Sequence, residues 1–183
     1  MQVSLSPLSC ISTNFVIVNC SKLKRSNNAV FDIDGVLIDC SERLAKCKEE
    51  ARGNRRLFWN CFLSTKYMHL DKPIDFGLEV LRDRLSKSFS VVIITGRTDN
   101  MAQKTLEQLK SMGVEGLPIV FRRRGNTARD YIYKPLTAKK LRLEVLEVHE
   151  DDFEVLKSFK EAYPEARTYL YIFTDITARI NSG

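Results

Sequence analysis

Apolar residues in this chain fall into two patterns: short continuous runs, and longer stretches in which they recur every three or four positions among charges. The first pattern fits strands buried on both faces of a sheet, and the second fits helices lying on such a sheet with one side wet. Strands are predicted over residues 29–33, 90–94, 118–121, 143–148 and 168–173. Helices are predicted between them. Residues 41–52 carry Leu44, Ala45, Cys47 and Ala51 among charges, with Ser41 near the N-cap. In residues 73–85 the positions Phe76, Leu78, Val80, Leu81 and Leu85 make one apolar side, and residues 100–112 run into Gly113, a helix-stopping residue. Helices over 135–141 and 153–162 complete the set, and the aromatic-rich 58–67 is ambiguous. Strand and helix alternate without an internal repeat, which predicts an α/β fold with a central, mostly parallel sheet.

Residues 1–21 stand apart, because they contain no charged side chain and are rich in Ser, Asn and Cys. A secretory signal needs an apolar core of about seven residues or more, and the only compact apolar run here is 15–18. Residues 1–28 are therefore predicted to be an N-terminal appendage, either an edge strand or a poorly ordered tail, and 29–183 a single domain. On that division, a chain lacking residues 1–25 is expected to keep its activity.

Composition narrows the class without choosing a function. A chain of 183 residues, 44% hydrophobic and 28% charged, is long enough for one real core and too apolar for wholesale disorder. No stretch approaches a membrane span in length. The five cysteines are odd in number and include no CxxC pair, so neither a disulfide framework nor a zinc site is indicated. A reducing, cytoplasmic compartment fits that usage. The net charge is +6, with basic clusters at 22–25, 52–56 and 122–129. Such clusters suit a polyanionic partner, and equally a solvated surface.

The chemistry concentrates at strand ends. Asp32 and Asp34 close the first run and are followed by Gly35, whose freedom lets the backbone turn away sharply. Residues two apart on a strand share a face, and ligands of open α/β sheets bind at the carboxyl ends of strands. Thr95, Gly96 and Arg97 follow the second run, Lys134 precedes the fourth, and Glu150, Asp151 and Asp152 end it. Each alone has a plain structural explanation: a turn, a surface lysine, a helix cap. In a parallel sheet all of them fall in one row, and together they form an acid-rich pocket with a lysine.

At these four places the chain resembles the haloacid dehalogenase superfamily, over residues 29–173. The resemblance implies a three-layer Rossmann-like core with at most a minimal cap. It implies a phosphomonoester hydrolase in which Asp32 is the nucleophile and forms an aspartyl phosphate, with Asp34 as general acid and base. Thr95 would bond a phosphate oxygen and Lys134 would neutralise charge on Asp32 and the phosphoryl group. The implied cofactor is Mg²⁺, held by Asp32, by the Asp34 backbone carbonyl and by Asp151, with Glu150 second and Asp152 capping a helix. His149 and Glu150 stand where the superfamily commonly has Gly-Asp.

Residues 122–134, RRRGNTARDYIYK, with Thr95-Gly96-Arg97 and Glu150-Asp151, further resemble the phosphatase domain of polynucleotide kinases. That implies a nucleic acid terminus as substrate, with Gly96, Arg97, Arg123 and Arg129 at the substrate and no membrane partner. The alternatives are a small-molecule phosphatase acting on a nucleotide or sugar phosphate, and a binding protein that keeps the fold with weak catalysis. No Gly-x-x-x-x-Gly-Lys-Ser/Thr loop is present, so a kinase half is not expected.

Overall fold

The computed structural model describes residues 10–172. Its strands, in chain order, are β1 (Cys10–Ile11), β2 (Phe15–Val18), β3 (Asn28–Phe31), β4 (Ile38–Asp39), β5 (Lys72–Pro73), β6 (Ser90–Thr98), β7 (Ile119–Arg122), β8 (Val145–Glu150) and β9 (Arg167–Leu170). The helices are α1 (Ser41–Ala51), α2 (Arg55–Phe62), α3 (Asp75–Ser86), α4 (Ala102–Ser111), α5 (Asp130–Lys140) and α6 (Phe153–Ala162). Seven strands form one sheet in the order β1-β2-β7-β6-β3-β8-β9, parallel from β7 to β9 and antiparallel at the β1-β2 edge.

The central strands are continuous apolar runs because both faces are covered. Phe31, Ile93 and Phe121 pack on one side with Leu37, Leu81 and Leu109. Val30, Val92, Ile94 and Val120 pack on the other with Tyr133, Val155 and Phe159. Neighbours along a strand thus point into opposite layers, as the twofold alternation of a strand requires.

Three details differ from the sequence expectations. β6 runs on to Thr98, through a register irregularity after Thr95, so Thr95 and Arg97 lie within the strand. α5 begins at Asp130 instead of 135; Pro135 sits inside it, and Lys134 is therefore a helical residue. A proline here removes a single backbone hydrogen bond to the first turn, which a helix packed on a sheet can bear. Finally, β8 starts and ends two residues later than predicted, which makes Glu150 its last residue. Residues 1–9 and 173–183, including the end of the last predicted strand, lie outside the described residues.

Residues 10–18 add two strands to the sheet beside β7, with β1 outermost. Phe15–Val18 pairs antiparallel with β7 from Phe15↔Arg122 to Val18↔Ile119, and all four residues are buried. A short apolar run without charge is what a strand needs to cover the open side of β7 and share its core layers.

The cysteine expectation is also corrected: Cys10 is bonded to Cys20 and Cys47 to Cys61, leaving Cys40 as a free thiol. Spacing could not show this, because Cys47 and Cys61 meet only once α1 and α2 fold against each other. These helices fill the insertion between β4 and β5, whose antiparallel pairing, Ile38↔Pro73 and Asp39↔Lys72, closes its base. The cap is thus a disulfide-bonded helix pair. No helix among the described residues is long and apolar enough to cross a membrane.

Candidate active site

The site grows from the end of β3. The Asp32 amide still bonds a sheet neighbour, the His149 carbonyl, at 3.0 Å. Beyond it the chain curls: the amides of Leu37 and Ile38 both donate to the Ile33 carbonyl at 2.9 Å, and the Gly35 amide donates to the Ile38 carbonyl at 2.8 Å. Gly35 sits at φ +81°, in the left-handed region that favours glycine.

Asp32, Glu150 and Asp151 come together from the ends of β3 and β8, and Lys134 reaches them from α5. Lys134 Nζ lies 2.8 Å from Asp32 Oδ2, donates to Glu150 Oε1, and stands 3.7 Å from Asp130 Oδ2. Burial alone would favour the neutral amine; the surrounding carboxylates outweigh it and hold the ammonium charged. Thr95 is buried on β6, with its hydroxyl accepting from the Arg97 amide at 3.1 Å.

The carboxyls crowd one another. Burial, followed by the charge of Glu150, pushes Asp32 up to about 8 against the pull of Lys134. Burial raises Glu150 to about 7, again against Lys134, and burial with the charge of Asp32 raises Asp151 to about 6. Oxygens of Asp32, Glu150 and Asp151 lie within 4.8 Å of one another. Asp32 Oδ1 is buried without a hydrogen-bond partner among the described residues. An all-oxygen cluster with an unpaired buried oxygen fits a hard divalent cation such as Mg²⁺. Glu150 is the least available of the three. Its Oε1 faces Lys134, and its Oε2 accepts from the amides of Asp151 and Asp152 at 3.0 and 3.3 Å. Asp152 caps α6, accepting from the Glu154 amide at 2.8 Å.

Asp34 has a different setting. Its Oδ1 accepts from Arg43 Nη2 at 2.7 Å and from Arg97 Nη2 at 2.6 Å, and its Oδ2 accepts from Arg97 Nε at 3.0 Å. Burial raises its proton affinity, but Arg97 first and Arg43 second outweigh that and hold the carboxyl below the usual carboxylate range. Two aspartates two residues apart are thus pushed in opposite directions, which is how one pocket acquires two kinds of carboxyl.

The arginines behave differently from expectation. Arg97, predicted to touch substrate, is 1% exposed, and its nitrogens bond Asp34, Thr105, Gln108 and Asp71. Its donors are committed inside the protein, two of its nitrogens to Asp34. Arg123 is half-buried with Nη1 3.4 Å from Asp99 Oδ2, and Arg129 is exposed at the N-cap position of α5. Gly96 leaves room for Asp130, whose Oδ2 would be 2.6 Å from a β-carbon at that position. Arg122 is buried, bonds the Asp130 carboxylate and the Ala128 carbonyl, and lies over the Tyr133 ring, so it fixes the approach to α5.

Sequence reasoning missed Arg43, Asp71 and Asp130. Arg43 is fully buried in α1, on the same helix face as Cys47. The only signal was a cation on the apolar stripe of a predicted helix, which an ordinary charged helix also shows.

No family model matches the chain, and no curated protein sequence matches it. Solved structures do resemble it. A chain of a Pnkp1/Rnl/Hen1 complex is 14% identical, with TM-score 0.58 over 96% of this chain; the match spans 52% of that longer chain, about half its length. A protein from Thermotoga maritima assigned as a beta-phosphoglucomutase is 18% identical, with TM-score 0.57 over 86% of this chain and 91% of that one. At such identities the likeness speaks for architecture. The parallel β7-β6-β3-β8-β9 order with helices on both faces is a layered α/β architecture that this chain shares with those two solved structures.

Proposed function

We propose that this protein is a Mg²⁺-dependent phosphomonoester hydrolase in which Asp32 attacks phosphorus and forms an aspartyl phosphate. The observation that carries the reading is the meeting of Asp32 with Lys134, beside a three-carboxylate cluster and next to an aspartate in the opposite electrostatic state.

Lys134 would hold Asp32 Oδ2, leaving Oδ1, which has no hydrogen-bond partner among the described residues, as the attacking oxygen. Thr95 would donate its hydroxyl to a phosphate oxygen. Asp32 and Asp151, with the Asp34 carbonyl and Glu150 behind them, would hold the cation. When bound, that ion supplies positive charge that favours ionised carboxylates and offsets the charge of the phosphate. Asp34 would protonate the departing oxygen and then take a proton from the water that cleaves the aspartyl phosphate. Its resting ionised state suits the second task directly. For the first, the negative charge of a bound phosphomonoester opposes the two guanidinium groups and makes protonation easier.

The substrate class we infer is a nucleic acid or nucleotide phosphate end. The insertion between β4 and β5 is only a helix pair, and Arg123, Arg124 and Arg129 lie on the loop leading to α5, where they could meet the phosphates of a polyanion. The fold shared with the Pnkp1/Rnl/Hen1 chain agrees with this. The test is phosphate release with Mg²⁺ from 3′- and 5′-phosphorylated oligonucleotides, nucleotides and sugar phosphates, with Asp32→Asn as the control. Oligonucleotide turnover with a KM that rises steeply with salt supports the reading. Turnover of small phosphates alone, insensitive to salt, would replace the substrate class, and no release from any of them would remove the enzyme.

A further inference from the structure

Asp71 lies outside every motif that the sequence singles out, on the strand-side return from the cap immediately before β5. Its side chain is completely buried. Oδ1 accepts from Arg43 Nε at 2.9 Å, and Oδ2 lies 3.1 Å from Arg97 Nη2 and 3.2 Å from the Gln108 amide nitrogen. Because Arg43 Nη2 and Arg97 Nη2 also reach Asp34 Oδ1, the four side chains form a closed ring of alternating charge, Asp34, Arg43, Asp71, Arg97. Three parts of the molecule supply its members. Asp34 comes from the curl after β3, Arg97 from β6, and Arg43 and Asp71 from the two ends of the cap insertion.

A guanidinium is a planar fork, so fixing one edge of it fixes where the other edge points. Asp71 binds both guanidinium groups beside Asp34: on Arg97 the two carboxylates share Nη2, and on Arg43 Asp71 takes Nε next to the Nη2 that reaches Asp34, while the Phe62 carbonyl accepts from Arg43 Nη1 at 2.9 Å. We infer that Asp71 is a positioning residue for the proposed reaction: it aims both guanidinium groups, and through them sets the direction of the Asp34 carboxylate. This ties the base of the cap to the group that moves protons. The inference rests on the proposed role of Asp34.

Orientation of a proton donor matters most when the leaving oxygen is a poor one. An alkoxide must be protonated as it departs, whereas p-nitrophenolate leaves readily without help. The test therefore compares kcat for p-nitrophenyl phosphate and for an alkyl phosphomonoester, measured on one sample, for the parent, Asp71→Asn and Asp71→Glu. A fall in the correctly folded fraction cancels in the ratio of the two rates. In Asp71→Asn the alkyl rate is expected to fall about tenfold more than the aryl rate, and Asp71→Glu to recover part of the ratio. Equal losses for both substrates would overturn the inference and leave a purely structural residue. Should Asp71→Asn yield no soluble protein, Gln108→Ala, which frees one side of Asp71 Oδ2, is expected to shift the ratio in the same direction, and an unchanged ratio there overturns the inference as well. A parent enzyme that releases phosphate from neither substrate, or an unimpaired Asp32→Asn, would instead remove the underlying function.

Discussion

Gly35 and Asp151 approach so closely that a β-carbon at position 35 would lie 2.1 Å from Asp151 Oδ2. The curl after β3 therefore runs directly against one of the three clustered carboxylates, Asp32, Glu150 and Asp151. Glycine is required here twice over, by that approach and by its φ of +81°. Gly35→Ala is expected to displace the Asp151 side chain and weaken Mg²⁺ binding at least tenfold, in addition to roughly 1–2 kcal/mol of backbone strain. Calorimetric titration with Mg²⁺ reads the first effect and thermal unfolding the second. Unaltered Mg²⁺ affinity in a folded variant would show that Asp151 does not hold the ion.

Asp34 makes a separate prediction through pH. Its carboxyl sits below the ordinary 3.8 in the folded protein, so the ionised form is favoured by folding. That contribution is complete above the ordinary value and is lost as pH falls through the lower folded value. Asp34→Asn leaves Arg43 and Arg97 buried with half of their anionic partners, which costs about 3–5 kcal/mol near neutral pH. The variant's stability should then fall less steeply than the parent's on acidification below about pH 4. Urea unfolding at a series of pH values checks both; parallel acid limbs in the two proteins would mean that Asp34 carries no linkage.

Much of this was legible in the chain, and the reasons are local. Asp32 and Glu150 could be placed together because each closes an apolar run, and parallel strands bring their ends into one row. Lys134 joins them from α5, a helix that begins five residues earlier than its sequence pattern shows. Arg97 was found, but its partners were not: a Thr-Gly-Arg sequence shows that an arginine is near the site, not which way its fork points. Arg43 and Asp71 were invisible, because they come from the two ends of an insertion whose closure depends on the β4-β5 pairing, a contact between two-residue strands with no periodicity to detect. The disulfides escaped as well, Cys47–Cys61 because it forms inside that insertion and Cys10–Cys20 because it depends on the turn that brings β1 beside β2.

Cysteine chemistry can be counted directly. Four of the five cysteines are bonded in pairs, and burial, followed by the nearby Asp34 charge, pushes the Cys40 thiol up to about 12. Thiolate is the reactive form, so native protein should resist iodoacetamide at pH 8. Unfolded but unreduced protein should take one label, and reduced, unfolded protein five. Mass spectrometry of the intact chain reads the number; five labels without reductant would show that the disulfides do not form.

The N-terminal strand makes the last prediction, and it runs against the expectation that residues 1–25 can be removed. Phe15–Val18 are at most 7% exposed, with Val16 fully buried, and they hydrogen-bond along the whole of β7. Deletion would uncover apolar side chains on both core layers and leave β7 as a bare parallel edge, a ready template for pairing with other chains. At roughly 25 cal/mol per Å² of apolar surface, losing four buried side chains is comparable to the entire stability of an ordinary domain. The truncated chain should therefore appear mostly in the insoluble fraction. A milder variant separates burial from mere length: Val16→Asp in the full chain leaves every residue in place but puts a charge where no water reaches. If the strand holds the sheet together, both changes reduce soluble yield severely, while removal of residues 1–9 alone leaves β1 and β2 intact and the yield close to that of the full chain. Soluble, active protein lacking residues 1–25 would show that β7 can serve as an edge without β2.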